Sequence, residues 1–289
     1  MQTGSGRCIQ IAAGWGDFMP ASSLTRSLTD LDYKSMQEKL TSFISEYVGS
    51  AGAGGVVVGL SGGVDSSVVA TLCVRALSSS RVMGIIMPTA FTPREDLADA
   101  EWLASWLSIR HRTVPIDPIL EAYASQLGRS SQDSEARMAF ANLRARIRMS
   151  ILYFHANMLN YLVAGTGDRS EILIGYYTKY GDGGVDFLPV AGLYKTQLRH
   201  LAKSLGIPDR IALKPSSPQL YPGHRAVDEL PADYDVLDPI LYHLFDLGKS
   251  LDETAEFMGV SRELVRAVYE RHLRTEHKRK MPASPPARI

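Results

Sequence analysis

The sequence predicts an α/β fold, a doubly wound parallel sheet with additional helices at its N- and C-terminal ends. Short apolar runs alternate with longer segments of helical periodicity, which is the pattern of repeated βαβ units. The run Val56 to Leu60 is apolar apart from one glycine, as expected of a strand that is buried on both faces. A Gly-rich turn follows this strand directly and leads into a helical run, which completes a strand-loop-helix unit.

The predicted elements follow this alternation along the chain. In the first half we predict helices at 33–48, 68–77, 96–107 and 116–127, and strands at 56–60, 82–87 and 111–114. In the second half we predict helices at 135–158, at 194–205 and within 233–280, a strand at 161–164, and loops at 165–171 and 177–189. Residues 215–231 contain four prolines and no periodicity, so we expect a mobile lid there.

The same pattern indicates the domain organisation. Residues 1–30 are rich in Gly, Ser and Thr and are expected to form a flexible leader. Residues 31–280 are expected to form a single domain whose C-terminal helices begin at about 233. A flexible tail at 281–289 is expected to follow.

Composition and charge exclude several classes of partner. The 31 basic and 31 acidic residues cancel, so no overall field attracts nucleic acid or an anionic membrane. No apolar run reaches the length of a membrane span, and the N-terminus lacks the pattern of a signal peptide. The two cysteines, Cys8 and Cys73, give no basis for a disulfide framework. We therefore expect a cytoplasmic protein without a nucleic-acid or membrane partner.

A Gly- and Ser-rich loop at 59–67, GLSGGVDSS, is the strongest local signal. Small residues let the backbone approach phosphate oxygens, hydroxyls donate to them, and the helix N-terminus adds unpaired N–H groups. Unlike the GxxxxGK[ST] loop, this loop has no Lys and carries Asp65, which tolerates phosphates only with a divalent cation between them. The loop therefore predicts a nucleotide phosphate site with Mg²⁺. The simpler alternative, a turn with a Ser/Asp helix cap, needs fewer of these residues.

Charged residues are dense between the fourth predicted strand and the next helix. Glu171 supplies a second carboxylate that could share the cation with Asp65, and Lys179 and Lys195 supply positive charge against an anionic ligand. Taken singly, each is more simply a solvated surface residue, and the Asp-Gly-Gly sequence is more simply a turn. Their density favours a ligand site.

The loop resembles the SGGxDS signature of the ATP pyrophosphatase (PP-loop) superfamily, whose members cleave ATP between the α and β phosphates and adenylate a substrate oxygen. This motif leaves the substrate open, because GMP, argininosuccinate and asparagine synthetases and tRNA-thiolating enzymes share it. The segments GTGDRSE (165–171) and TKYGDGGVD (178–186), with Lys195 downstream, closely resemble NAD synthetases of the ammonia-dependent type. The resemblance runs from the loop nearly to the C-terminus.

The resemblance implies an adenine nucleotide alpha-hydrolase-like fold, with ATP over the ends of the first and fourth strands. It implies ATP-dependent amidation of deamido-NAD by ammonia through an adenylated nicotinate carboxylate, with release of AMP and pyrophosphate. It also implies Mg²⁺ as the cofactor and a homodimer with the deamido-NAD site at the subunit interface.

The resemblance further assigns residues to each ligand. It assigns ATP binding to Gly59, Leu60, Ser61, Gly62, Gly63, Val64, Asp65, Ser66, Thr166, Lys195 and Ser217. It assigns deamido-NAD binding to Arg146, Lys179, Asp186, His277 and Lys278. It assigns Mg²⁺ to Asp65 and Glu171, and catalysis to Asp65, Glu171 and Lys195. Ser217 stands where a Thr is commoner in this family, and the hydroxyl is kept.

Three arginines on the predicted helix 135–158 cannot all serve one ligand. Arg144 and Arg148 share one face, and Arg146 lies on roughly the opposite face. The resemblance singles out Arg146 for the dinucleotide, and at least one of the three is expected to be solvated.

Two other functions fit parts of the sequence. Another PP-loop enzyme that acts on a different carboxylate or carbonyl would share the 59–67 loop. Residues 250–273 could pass for a DNA-binding helix-turn-helix fused to a PP-loop domain. Against this, the helix that would contact bases carries Glu263 and Glu270, and the chain is neutral.

The nitrogen donor is expected to be ammonia. A glutaminase domain needs a nucleophilic Cys with a supporting base. Cys8 lies in a segment without His, and Cys73 lies on an apolar helix. Neither is suited to glutamine hydrolysis.

Overall fold

The computed structural model describes residues 28–130 and 133–285. Its centre is a parallel sheet of order β3-β2-β1-β4, formed by β1 (Gly55–Gly59), β2 (Val82–Ile86), β3 (Arg110–Thr113) and β4 (Tyr161–Val163). The winding reverses between β1 and β4, which confirms the predicted doubly wound sheet. Residues 1–27 of the predicted leader and 286–289 of the predicted tail lie outside the described residues.

Twelve α-helices of the described part surround or extend this sheet. They are α1 (Tyr33–Ser50), α2 (Val64–Leu77), α3 (Arg94–Trp106), α4 (Asp117–Leu127), α5 (Arg137–Leu159), α6 (Arg169–Ile174), α7 (Lys195–Ser204), α8 (Asp209–Ala212), α9 (Tyr234–Leu241), α10 (Leu251–Met258), α11 (Arg262–Arg274) and α12 (Glu276–Arg279). Short 3-10 turns at Ser79–Arg81 and Ala226–Asp228 and a π turn at Tyr242–Asp246 complete them. Every predicted helix and strand is present, and α6 and α8 are additional.

Alternate residues of β1 face opposite sides of the sheet. Val56 and Val58 pack into one apolar core with α1, α2, α3 and α7. Val57 packs into a second core with α4 and α5. Because helices cover both faces, β1 needs apolar residues at successive positions, which explains the uninterrupted run in the sequence.

The prediction of a loop throughout 165–171 is wrong at its end, because α6 begins at Arg169. Asp168 accepts a hydrogen bond from the Glu171 backbone N–H at 2.8 Å, and the Glu171 carboxylate accepts one from the Asp168 N–H at 3.4 Å. This reciprocal capping starts a helix directly after the β4 loop. Glu171 is thereby placed on a helix at the end of the central strands.

The predicted lid, residues 215–231, is described throughout and contains the single 3-10 turn Ala226–Asp228. Lys214, just before it, donates to the Gly62 carbonyl at 2.9 Å and to Asp96 and Asp99 at 2.6 Å each. The N-terminal end of this segment is thus held against the Gly-rich loop. Its movement stays a prediction.

The C-terminal helices form a third apolar core. Val265 and Val268 of α11 are fully buried there, and Leu237 and Ile240 of α9 lie in the same cluster. The end of α11 contacts α6, so the helix that a DNA-binding interpretation would place in a groove packs within the domain. None of the helices in the described part is long and apolar enough to span a bilayer.

Gly62 offers a test of how tightly the loop packs. Its φ is +78°, and a Cβ there would lie 2.1 Å from the Asp96 carbonyl oxygen. Because backbone strain and the clash add, we expect Gly62→Ala to lower the free energy of unfolding by about 1–3 kcal/mol. Urea denaturation measures this change.

The matched control is Gly49→Ala within α1, where a Cβ would meet nothing within 4 Å. Higher helix propensity should make this variant neutral or more stable by up to about 1 kcal/mol. Equal stabilities of the two variants would contradict the packing described for Gly62.

Candidate active site

A cavity of about 460 Å³ opens at the carboxyl edge of the sheet. Residues at the ends of three strands line it, with Gly59 to Ser61 at the end of β1 and just after it, Met87 after β2 and Gly165 after β4. Its position at the switch point between β1 and β4 agrees with the predicted ligand site. The 216–220 segment and α5 contribute further lining residues.

Hydrogen bonds of its own serine hydroxyls fix the conformation of the Gly-rich loop. Ser61 and Ser66 place their Oγ atoms 3.1 Å apart, and the Ser61 backbone N–H donates to Ser66 Oγ at 3.3 Å. Ser67 Oγ donates to the Gly63 carbonyl at 2.8 Å. Gly63 is the N-cap of α2 and provides no side-chain cap, so the first-turn amides of this helix suit an anionic ligand.

Three carboxylates surround the ammonium group of Lys195, which is fully buried. Lys195 Nζ lies 2.5 Å from Asp65 Oδ1, 3.0 Å from Glu171 Oε1 and 3.1 Å from Asp168 Oδ2. Asp65 begins α2, Asp168 and Glu171 begin α6, and Lys195 begins α7. The starts of three helices therefore converge on one buried charge.

Opposing effects set the pKa values in this cluster. Burial alone would lower the pKa of Lys195, but Asp168, Asp65 and Glu171 outweigh it and hold that pKa well above its usual value. Burial raises the pKa of Glu171 well above its usual value, against the effect of Lys195, and the charges of Asp168 and Asp65 raise it further. The lysine is therefore charged, while burial favours the protonated form of Glu171 as long as no further cation is present.

A buried carboxyl group, that of Asp238, links the two helices that carry Glu171 and Lys195. Asp238, which is fully buried, accepts from Ser170 Oγ at 2.6 Å and from the Thr196 N–H at 2.8 Å. Ser170 Oγ in turn accepts from the Lys195 backbone N–H at 2.9 Å. Burial raises the pKa of Asp238 to about 7, against the hydrogen bonds from Ser170 and Thr196. These bonds join the first turns of α6 and α7.

The residues predicted for ATP divide into two groups. The cavity is lined by Gly59, Leu60, Ser61, Asp65, Ser66, Thr166 and Ser217, together with Glu171. Gly62, Gly63, Val64 and Lys195 lie behind this surface, with Val64 in the apolar core. Ser217 Oγ donates to the carbonyl of His224, which lies seven residues further along the same segment.

The residues predicted for the dinucleotide are more dispersed. Arg146 Nη2 donates to the Lys179 carbonyl at 3.4 Å, and Lys179 Nζ donates to the His277 carbonyl at 2.6 Å, so these three lie together near the surface. Asp186 accepts from Tyr153 Oη at 3.0 Å and from the Val163 N–H at 2.7 Å.

Lys278 alone of the predicted dinucleotide residues lines the cavity. Its Nζ also donates to the carbonyls of Gly175 and Tyr177, at 2.7 and 2.6 Å.

The three arginines of α5 lie as their spacing predicts. Arg148 lines the cavity and donates to the Met87 carbonyl at 3.2 Å, and Arg144 on the same face donates to the Leu220 carbonyl at 2.9 Å. Arg146 points elsewhere, toward Lys179. Burial, together with the charge of Arg144, lowers the pKa of Arg148 to about 10.

Several lining or supporting residues were not assigned from the sequence. They are Arg148, Asp168, Tyr176, Thr178, Asp182, His224, Glu229, Asp238 and Arg271. Asp168 could have been found from the Asp-x-x-Glu spacing that predicts a capped helix start. The others depend on contacts between distant segments, for which the sequence carries no local signal.

The cluster is suited to a divalent cation shared with phosphates. Asp65 and Glu171 offer hard oxygen donors beside the Gly-rich loop, and three carboxyl groups face a single lysine, so a bound cation would favour their ionised form. Within residues 28–130 and 133–285, no three His, Cys, Asp or Glu side chains are arranged to hold a metal by themselves. One or two carboxylates completed by substrate phosphates is the arrangement that Mg²⁺ commonly adopts.

Comparisons with known proteins identify the family of this chain. The NAD synthase family model matches residues 36–282. An NH(3)-dependent NAD(+) synthetase from Hyperthermus butylicus is 52% identical over 259 residues, which cover 89% of this chain and 92% of that protein.

Two solved structures share the fold over nearly their whole length. NMN synthetase from Francisella tularensis gives a TM-score of 0.77 at 33% identity, covering 89% of this chain and 100% of that chain. NH3-dependent NAD synthetase from Campylobacter jejuni, in complex with a nitrate ion, gives 0.74 at 33% identity, covering 88% and 99% respectively. Since the family model and these relatives span most of the sequence, this chain belongs to the NAD synthase family.

Proposed function

We propose that this chain is a ligase that forms NAD⁺ from deamido-NAD, ATP and ammonia. The observation that carries this proposal is the buried Lys195 held by Asp65 and Glu171 beside a Gly- and Ser-rich loop. This site offers hydrogen-bond donors for a polyphosphate, and the fixed positive charge of Lys195 lies next to the loop. The family match over residues 36–282 supports the same reaction.

Two transfers complete the proposed reaction. An oxygen of the nicotinate carboxylate bonds to the α-phosphorus of ATP, the bond to pyrophosphate breaks, and pyrophosphate leaves into the 59–67 loop. Ammonia then bonds to the activated carbonyl carbon, AMP leaves with the oxygen that joined it, and the new amide nitrogen loses a proton. In this proposal the charge of Lys195, which lies next to the lining residues Asp65 and Glu171, helps to offset charge that grows on the leaving group. No side chain needs to act as a covalent nucleophile.

The proposed cofactor is Mg²⁺, with Asp65 and Glu171 as its protein ligands. Bound there, it would supply positive charge between these carboxylates and the phosphates of ATP. The excess of carboxylates over lysine in the cluster supports this assignment.

We further propose that the chain acts as a homodimer. Phe154 and Met158 on α5 are 62% and 70% exposed, and Leu127 on the neighbouring α4 is 62% exposed. Large exposed apolar side chains favour contact with another copy. Arg146 and His277 are exposed outside the cavity, which supports a role for them in a deamido-NAD site that a second copy completes.

A cytoplasmic location is also a proposal. The free thiol of Cys73 is buried in the core, and burial raises its pKa to about 12. A core thiol kept in this form suits a reducing compartment.

The proposed function is tested by assays that vary the nitrogen donor and the acceptor substrate. With ATP and deamido-NAD, purified protein should form NAD⁺ and AMP from ammonium chloride, and at least about 100-fold more slowly from ammonia-free glutamine, because neither cysteine is suited to hydrolyse it. Because neutral ammonia is the nucleophile, the ammonium requirement should fall as pH rises toward the ammonium pKa. Comparable rates from both donors would contradict ammonia dependence.

The acceptor control replaces deamido-NAD by XMP, by citrulline, or by nicotinate mononucleotide, which offers the same carboxylate without the adenylyl half. The mononucleotide is included because a similar structure is an NMN synthetase. AMP formation that is faster with any of these acceptors would reassign the substrate.

The carboxylates can be tested separately. Asp65→Asn and Glu171→Gln should each lower turnover by roughly 100-fold or more, the scale for losing one electrostatic contact to developing charge. Matched controls are Asp209→Asn and Glu38→Gln, since both side chains are exposed and remote from the cavity. Full activity in both test variants, with Mg²⁺ still required, would refute the assignment.

A further inference from the structure

Helix α6 is short for the task it performs. It has six residues, Arg169–Ile174, and it carries Glu171 directly beside Lys195. A helix of this length is not stable by itself, and its last carbonyl groups have no partner within the helix. The Gly175 N–H donates to the Ile172 carbonyl at 3.2 Å, and the carbonyls of Leu173 and Ile174 are left for partners from elsewhere in the chain.

Side chains from α11 and α12 supply those partners. Arg279 Nη1 donates to the carbonyls of Ile172 and Leu173 at 3.2 and 3.0 Å, and His272 Nδ1 lies 2.7 Å from the Leu173 carbonyl. Arg271 Nε donates to the Ile174 carbonyl at 3.3 Å. Lys278 extends the series through its bonds to the Gly175 and Tyr177 carbonyls. Together these contacts reach the last three carbonyls of α6 and two that follow closely.

The backbone lets the end of α6 approach Thr275 closely. Gly175 ends α6 with φ +62°, and a Cβ there would lie 2.3 Å from Thr275 Cβ. Arg279 is itself held by Thr275 Oγ1 at 2.9 Å and by the His272 carbonyl. The guanidinium is thus oriented before it reaches α6.

This geometry changes what the basic run 277–280 does. Lys278 and Arg279 are half-buried and directed at carbonyl oxygens, whereas His277 and Lys280 are exposed. A cation at a helix C-terminus also interacts favourably with the helix dipole. The resemblance assigns His277 and Lys278 to the anionic dinucleotide, yet Lys278 and Arg279 donate to backbone carbonyls of α6 and of the residues just after it.

We propose that Arg279 is a positioning residue for the reaction, acting with Arg271, His272 and Lys278 as a clamp on the end of α6. By fixing the helix end, the clamp keeps Glu171 at its place beside Lys195 and Asp65. The effect on catalysis rests on the proposed function. The effect on the stability of α6 does not rest on the proposed function, so the clamp and the proposed function can be rejected separately.

The test compares Arg279→Ala with Arg274→Ala. Arg274 is exposed on the same stretch of chain, and it is a matched Arg-to-Ala control. Hydrogen exchange of peptides covering 169–178 should become faster in Arg279→Ala, while peptides of β1 and β2 stay as in the unmodified protein. A loss of global stability alone would speed exchange in all of these peptides.

Steady-state kinetics give the second readout. The kcat of Arg279→Ala for NAD⁺ formation should fall by about tenfold or more because Glu171 is misplaced, with KM for ATP and deamido-NAD changed by less than about threefold. Millimolar guanidinium should restore part of kcat. If Arg279→Ala does not fold, Arg279→Lys carries the test, since it keeps the charge without the planar fork and should lose kcat to a lesser extent.

Two results would overturn the proposal. One is exchange at 169–178 and kcat both equal to those of Arg274→Ala. The other is an unchanged kcat with a raised KM for deamido-NAD, which would make Arg279 a substrate contact. Faster exchange at 169–178 without any NAD⁺ synthesis in the unmodified protein would support the clamp and reject the proposed function.

Discussion

The buried ammonium of Lys195 is the constraint on which the rest of the site depends. A charge with no solvent exposure is tolerated only if it is paired and hydrogen-bonded, and Asp65, Asp168 and Glu171 supply the pairing. These groups begin α2, α6 and α7, so the three helix starts must meet at one point. The order of the sheet makes this possible, because β1 and β4 are neighbours and the chain leaves them toward α2 and α6 at the same edge.

The same cluster also prepares the site for its ligands. Three carboxyl groups face one lysine, and the raised pKa of Glu171 means that ionising all three without a further cation costs free energy. A site of this kind is relieved by a ligand that brings positive charge together with phosphate oxygens. Natural enzymes accept such local instability where it serves function and offset it elsewhere. In this protein, buried Asp238 accepts hydrogen bonds from Ser170 and Thr196, and basic side chains such as Arg279 bind the end of α6. These contacts provide that support.

Local patterns were sufficient for most of the fold. The apolar run of β1 and the Gly-Ser turn before α2 were readable because each reflects a rule that acts over a few residues. Helix α6 was missed although the Asp-x-x-Glu spacing marks its start, and its end carries no local signal because it is completed by Arg279, more than 100 residues along the chain. Whether Arg146 or Arg148 faces the ligand could not be decided from the sequence for the same reason. Helical spacing separated their faces, but which face meets the cavity is decided by how α5 packs on the sheet.

The role of the buried ammonium is tested most directly by pyrophosphate–ATP exchange that depends on deamido-NAD, measured for Lys195→Met at equal amounts of folded protein. This exchange reports the adenylation step before ammonia is needed. If the buried ammonium stabilises charge during that step, exchange should fall by roughly 100-fold or more. Exchange at the rate of the unmodified protein would contradict a central role for Lys195.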